Sequence, residues 1–268
     1  MIHMLQSLAL LIIKGKIHQI LTFLFTVVIA FYLSSCSTAP SRGDVSRAET
    51  HHRMGSSYMD NGQYNEAFVE FKKALEFNPD KKETLNYLGY LNMRFKEYDK
   101  AVVYFKKAIS IDPGYAEAMN NLGVTYAEIG KWDEAIRYFD AALSNPVYET
   151  PEMAYANMGY VYYLKGDYIN AEKVIKEALM RNNLYPMASY VLGLVYTKLE
   201  NDDAAIEEFK KAIGLAPDYA EAHMDLAKTY LRSGSRAKAL KHFEAVLEHD
   251  DNPLRLREAS EYISGLKY

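Results

Sequence analysis

An all-α solenoid of stacked helical hairpins is the fold class this chain of 268 residues predicts, and three observations carry the prediction. One 34-residue pattern recurs six times, in units starting at Ala48, Lys82, Ala116, Glu152, Pro186 and Ala220. A small residue holds the eighth place of every unit, as Gly55, Gly89, Gly123, Gly159, Gly193 and Ala227. Alanine holds the twentieth place (Ala67, Ala101, Ala135, Ala171, Ala205 and Ala239), and a large apolar residue the twenty-fourth (Phe71, Phe105, Phe139, Ile175, Phe209 and Phe243).

Each unit reads as two antiparallel helices, because its apolar residues recur at helical spacing in two stretches separated by a short break. Glycine inside a helix costs about 1 kcal/mol relative to alanine, so glycine at one phase five times marks a close helix crossing. The twenty-seventh place is small as well, with Ala74, Ala108, Ala142, Ala178 and Ala212 before Val246. Asn65, Asp99, Asp133 and Asp203 fall where second helices begin and are expected to cap them. Tyr64, Tyr98, Trp132 and Tyr168 at the seventeenth place are expected to wedge between the two helices of a unit. Residues 254–268 break the pattern, and Leu256, Ala259, Ile263 and Leu266 fall on one helical face, as a terminal capping helix requires. Period and residue chemistry resemble the tetratricopeptide (TPR) repeat, which implies a right-handed superhelix with six units at 48–81, 82–115, 116–149, 152–185, 186–219 and 220–253.

The N-terminus concerns location. Lys14 and Lys16 precede an apolar run from Ile20 to Leu33 without an acidic residue upstream, the general pattern of an export signal. Leu33, Ser34, Ser35 and Cys36 resemble a bacterial lipobox, which implies cleavage after residue 35 and acyl chains on Cys36. Cys36 is the only cysteine, so it has no internal disulfide partner. The run is short for a membrane span of about 20 residues. Residues 36–47 then read as the lipidated cysteine and a flexible tether. The apolar stretch Met1 to Ile13 ahead of the lysines is unusual for a signal and points to translation starting downstream of Met1. Ser37, rather than Asp, follows the cysteine, which by the lipoprotein sorting rule implies the outer membrane, with the solenoid in the periplasm. Removing residues 1–35 takes two lysines and no acids from a net charge of −4, leaving −6, a balance that argues against nucleic acid as a partner.

Catalytic chemistry is not indicated, and neither is a cofactor or a metal. His51 and His52 are adjacent on a helix and point apart, while His242 and His249 lie two turns from one another, about 10 Å by helical rise. His223, His242 and His249 are expected at the surface, and Asp202, Asp203, Glu207 and Glu208 at a helix start and on a polar face. No glycine-rich phosphate loop, nucleophile elbow or cysteine cluster occurs.

Function therefore falls to a partner-binding surface. The TPR resemblance implies that the second, fifth, sixth, ninth, twelfth and thirteenth places face the concave side. Those places supply Tyr87, Tyr90 and Met93, then Met153, Tyr160, Tyr163 and Leu164, then Met187, Tyr190 and Leu194. An aromatic and apolar stripe of this kind suits an amphipathic or extended protein segment. Charge is expected at its ends, from Glu49 and Asp60 to Glu221, Lys228 and Arg232. The clamp with which cytosolic chaperone adaptors hold a peptide carboxylate needs cations, and its places here carry His52, Ser56, Tyr87, Glu117 and Asn121, so that ligand does not fit.

A lipobox, six units, a capping helix and the inserted junction Asn145-Pro146-Val147-Tyr148-Glu149-Thr150-Pro151-Glu152 together resemble the type IV pilus pilotin family of PilF, PilW and Tgl. That resemblance implies a non-catalytic assembly factor that binds the pilus secretin subunit and promotes its targeting and oligomerisation. Two other readings stay open at this point, a TPR adaptor lipoprotein for peptidoglycan hydrolases or proteases and a non-catalytic subunit of a polysaccharide export machine.

Overall fold

The computed structural model describes residues 39–267, which contain thirteen helices and no strands. The described residues fall into two units, divided between Arg47 and Ala48. In the described part of the first, the Ser41 hydroxyl accepts from the Asp44 backbone N–H at 3.2 Å and donates to the Asp44 carboxylate at 2.7 Å. The lipobox residues Leu33, Ser34, Ser35 and Cys36 lie outside the described residues. Among the described residues no helix is long and apolar enough to cross a membrane.

The helices are α1 (Arg42–Asp60), α2 (Tyr64–Phe77), α3 (Lys82–Arg94), α4 (Tyr98–Ile111), α5 (Ala116–Glu128), α6 (Trp132–Leu143), α7 (Pro151–Leu164), α8 (Tyr168–Arg181), α9 (Pro186–Lys198), α10 (Asp202–Leu215), α11 (Ala220–Arg232), α12 (Arg236–His249) and α13 (Pro253–Lys267). From α3 to α12 each odd-numbered helix packs against the even-numbered helix that follows, and each pair packs on the next. The odd helices also touch one another in series, α3 on α5, α5 on α7, α7 on α9 and α9 on α11, so they form the inner layer of the solenoid.

Close crossing of the two helices explains the glycines. A Cβ placed on Gly89, Gly123 or Gly193 would lie 2.5 or 2.6 Å from the ring of Phe105, Phe139 or Phe209, and each of those rings is fully buried. The alanines of the twentieth place are buried to the same degree, so the six hairpins share one packing solution. Ala259 of α13 is buried against the last hairpin, with Ile263 and Leu266 beside it and Tyr262 stacked on Phe243 at 4.7 Å.

Turns inside the hairpins obey a rule that the 34-residue frame also carries. The fifteenth place has positive φ in all six units, taken by Gly62, Gly130, Gly166 and Gly234 and by the non-glycine residues Lys96 and Glu200. The N–H of that residue bonds a carbonyl three positions back and the next N–H one five positions back, as Gly130 to Ala127 and Lys131 to Tyr126 do, which closes the preceding helix. A left-handed conformation costs a residue with a Cβ about 1 kcal/mol that glycine avoids. Glu200→Gly, at φ 57°, is therefore expected to raise stability by up to about 1 kcal/mol, read from the urea midpoint. An unchanged or lower midpoint contradicts this account of the turn.

The expected caps need correction. Asn65, Asp99, Asp133 and Asp203 are not caps; each lies second in its helix, within the first turn. There a short polar side chain meets the positive end of the helix dipole, which still favours Asp. The residues at the caps are Gln63, Glu97, Lys131, Asp167, Asn201 and Ser235. Of these, Asp167 and Asn201 accept a backbone bond, from Asn170 and Ala204, both at 3.2 Å.

Candidate functional site

Cavities open along the inner layer, one of about 570 Å³ lined by His52, Tyr87, Tyr115 and Glu117 and three smaller ones. The first, of about 300 Å³, is lined by Tyr87, Tyr90 and Met153, together with Asn86, Asn120, Asn121 and Tyr148. Tyr160, Leu164 and Met187 line the second, of about 350 Å³, with Asn157, Val124 and Glu128. In the third, of about 320 Å³, Tyr190 meets Asp225, Glu221, Lys228 and Arg255. Met93, Tyr163 and Leu194 line none of the three.

The ten groove residues divide by packing. Tyr87 stacks on the buried ring of Phe71 at 4.9 Å, and Tyr90, Met93, Tyr190 and Leu194 rest against core clusters. Met187 packs on the core beneath the fifth unit, and one side of Tyr160 rests on the same cluster. Leu164 and Met153 are 40% and 38% exposed, while Tyr160 and Tyr163 stack on each other at 6.1 Å and stay partly open. These four, on α7, are the part of the stripe freest to meet another surface. Burial raises the ionisation of the Tyr160 and Tyr163 hydroxyls above the ordinary phenol value, and nearby carboxylates add to it, so both are neutral donors.

Polar residues of the inner face complete the groove beside the apolar stripe. Asn121 donates to Asn86 at 3.0 Å and Asn157 to Asn120 at 3.1 Å, tying neighbouring units together. A primary amide has two donor hydrogens and a two-lone-pair acceptor, so each pair retains hydrogen-bonding groups beyond the one bond it makes. Tyr148, from the inserted junction, is buried and closes one wall of the first cavity. Asp225 lies at the sixth place of the last unit, a place the repeat frame already assigns to the inner face.

Charge at the ends of the stripe is mostly consumed within the solenoid. Lys81 pairs with Glu49 at 3.0 Å, Arg232 with Asp202 at 2.7 Å, Lys228 with Glu258 at 2.8 Å and Arg255 with Glu221 at 2.9 Å. Exposed pairs of this kind contribute little stability, up to about 1 kcal/mol each.

Two expectations about titratable residues fail. The histidines of the last unit are not all surface groups. His223 is buried with 7% exposure, and its Nδ1 lies 3.0 Å from His242 Nδ1. Its Nε2–H donates to the Pro217 carbonyl at 3.0 Å, which leaves Nδ1 of His223 to accept from His242. Helical spacing ranked His242 by its distance from His249 on α12, whereas the tertiary partner is on α11. Glu208 is likewise buried rather than on a solvated polar face, and it pairs with Lys211 at 2.5 Å. His51 and His52 do point apart, toward Glu70 at 2.6 Å and Thr84 at 2.9 Å. Among the described residues no group of three or more His, Cys, Asp or Glu is placed to hold a metal ion.

The histidine contact makes stability depend on acid. Burial lowers the pKa of both, that of His242 to about 4, with the charges of His223 and Lys241 acting in the same direction on His242 and those of His249 and Lys241 on His223. The unfolded chain takes up these protons near pH 6.5 and the folded one only at lower pH. Stability attributable to the pair is therefore complete above about pH 6.5 and is lost as pH falls toward 4, by on the order of 2 kcal/mol once solvent screening is allowed for. Urea melts at pH 7 and pH 5 should show this loss shrinking in His242→Gln. Equal losses in both proteins contradict the assignment.

Family models described as tetratricopeptide or TPR repeats match residues 55–94, 80–145, 157–220 and 203–259. A curated relative, the uncharacterized protein ycf37 of Cyanophora paradoxa, is 29% identical over 114 residues, which span 41% of this chain and 66% of that protein. Among solved structures, PilW, described as a widely conserved type IV pilus biogenesis factor, superposes with a TM-score of 0.71 at 23% identity over 82% of this chain and 98% of its own. Pseudomonas aeruginosa pilF gives 0.69 at 18% identity over 82% and 99%. The APC/C hetero-tetramer Cut9-Hcn1 gives 0.73 at 21% identity, but this chain covers 43% of that one. At these identities the likeness is one of fold.

Proposed function

From a chain that belongs to the tetratricopeptide-repeat family and shares its fold with type IV pilus biogenesis factors, we propose that this protein is an outer-membrane lipoprotein that binds the pilus secretin subunit. In this role it promotes secretin targeting and oligomerisation without catalysis. The observation that carries the reading is the open apolar strip on α7, where Met153 and Leu164 are 38% and 40% exposed beside the paired rings of Tyr160 and Tyr163. Apolar groups left uncovered on the inner face of a solenoid gain from burial against a partner, at about 25 cal/mol per Å². Superposition over 98% of PilW and 99% of pilF supports the choice of partner, because the likeness takes in nearly the whole of each pilus protein.

Acyl chains on Cys36 supply the anchor in this proposal, since two or more chains hold a protein at a bilayer where one does so only reversibly. Cys36→Ser is expected to leave the helical content unchanged and to move the protein from the membrane to the soluble fraction. Continued membrane association of the variant contradicts lipid anchoring. Deletion of the gene tests the function itself: loss of heat-resistant secretin multimers is the expected result. Intact multimers with misregulated cell-wall hydrolysis would instead favour the adaptor reading.

A further inference from the structure

Beyond the apolar strip, the inner face ends on a carboxylate without a cation. Asp225, on α11, is partly buried and accepts a hydrogen bond from the Tyr190 hydroxyl at 2.9 Å. The cavity it shares with Tyr190 holds three carboxylates, Glu221, Asp225 and Glu258, against two cations, Lys228 and Arg255. Both cations are engaged elsewhere, Lys228 with Glu258 at 2.8 Å and Arg255 with Glu221 at 2.9 Å and with Asp250. No ion pair forms on Asp225 among the described residues.

Tyr190 is the aromatic residue in contact with this acid, and it does not stand alone. Tyr190 packs against Tyr219 with ring centroids 4.9 Å apart. The charge of Asp225 also raises the ionisation of the Tyr160, Tyr163 and Tyr219 hydroxyls, so all three lie within its field. A partly buried carboxylate beside the Tyr190 ring attracts an organic cation by charge and, where the cation reaches the ring, by its quadrupole. Burial raises the pKa of Asp225, and the Tyr190 hydroxyl and Lys228 act against that rise, as a cation bound in the cavity would.

We infer that Asp225, with Tyr190 and Tyr219, forms a subsite for a lysine or arginine side chain of the bound partner, next to the apolar strip of Tyr160, Tyr163 and Leu164. The inference rests on the groove being a protein-docking surface, and it specifies the ligand: large apolar residues followed by one basic residue. Charge complementarity selects this occupant. An acidic residue at the same position would face Asp225 and two further carboxylates, and a neutral one would leave the acid desolvated and unpaired.

Synthetic peptides test the subsite directly. A fluorescein-labelled octapeptide of leucine and phenylalanine with one variable position, occupied by Lys, Gln or Glu, is titrated against the full chain in detergent at low salt. The Lys peptide is expected to bind about tenfold more tightly than the Gln peptide and the Glu peptide more weakly than either. D225N should abolish the preference while leaving the Gln peptide's affinity within about twofold, and circular dichroism reports whether it is folded. Asp225→Ser, titrated with the same three peptides, stands in if D225N fails to fold and should lose the preference in the same way. Equal binding of the Lys and Gln peptides to the unaltered protein overturns the inference and leaves the docking groove standing. Absence of binding by all three overturns both.

Discussion

Replacing Gly123 with valine is expected to destabilise the solenoid by about 3 kcal/mol, the largest effect among the single substitutions considered. A Cβ at this position already falls 2.6 Å from Cε1 of Phe139, and the two methyls of valine extend further into the same ring. Phe139 has no room to yield, being fully buried with Ala135 and Ala142 packed in the same cluster. Helix propensity acts in the opposite direction by less than about 1 kcal/mol, so the clash decides the sign. The sixth unit provides the control. Ala227 is fully buried at the equivalent place beside Phe243, so Ala227→Gly should also destabilise, by about 1 kcal/mol. Urea melts of the two variants would then move in the same direction for opposite exchanges, one adding bulk and one removing it. Stabilisation by either variant contradicts the packing described for the eighth place.

Tyr160→Ala combined with Tyr163→Ala should lower affinity for the purified secretin subunit about 100-fold, or about 2.7 kcal/mol, while leaving helical content unchanged. The two rings stack on each other and stay partly open, with Tyr160 also resting on the core beneath the fifth unit, whereas Tyr126 of the same inner layer is 7% exposed. Removing them takes contact area from the groove and little from the fold. Tyr126→Ala should behave in the opposite way, costing stability through a cavity. A titration beside circular dichroism reads both quantities, and normal affinity of the double variant contradicts the assignment of the groove.

The hairpins were legible in the sequence because close packing demands one residue size at one phase. Gly123 and Phe139 sit sixteen residues apart in a single hairpin and meet directly, so a local pattern encodes the contact. Asp225 was legible in principle by its sixth place in the last unit, but its meaning depends on Tyr190 from the neighbouring unit and on which cations Glu221 and Glu258 consume. No periodicity carries that information. His223 and His242 likewise meet across two helices, and spacing along one helix misled. The cap positions failed for a smaller reason: an acid in the first turn and an acid at the cap look alike in sequence, and the turn at the fifteenth place fixes which is which.

The central claim is that the inner face around α7 docks a secretin subunit, and photo-crosslinking in cells tests it most directly. A photoreactive phenylalanine analogue replaces Leu164 in one strain and Ile169, which is 79% exposed on the second helix of the same hairpin, in another. The account predicts a secretin adduct from position 164 and none from position 169. An adduct from 169 alone, or no secretin adduct from 164, contradicts it.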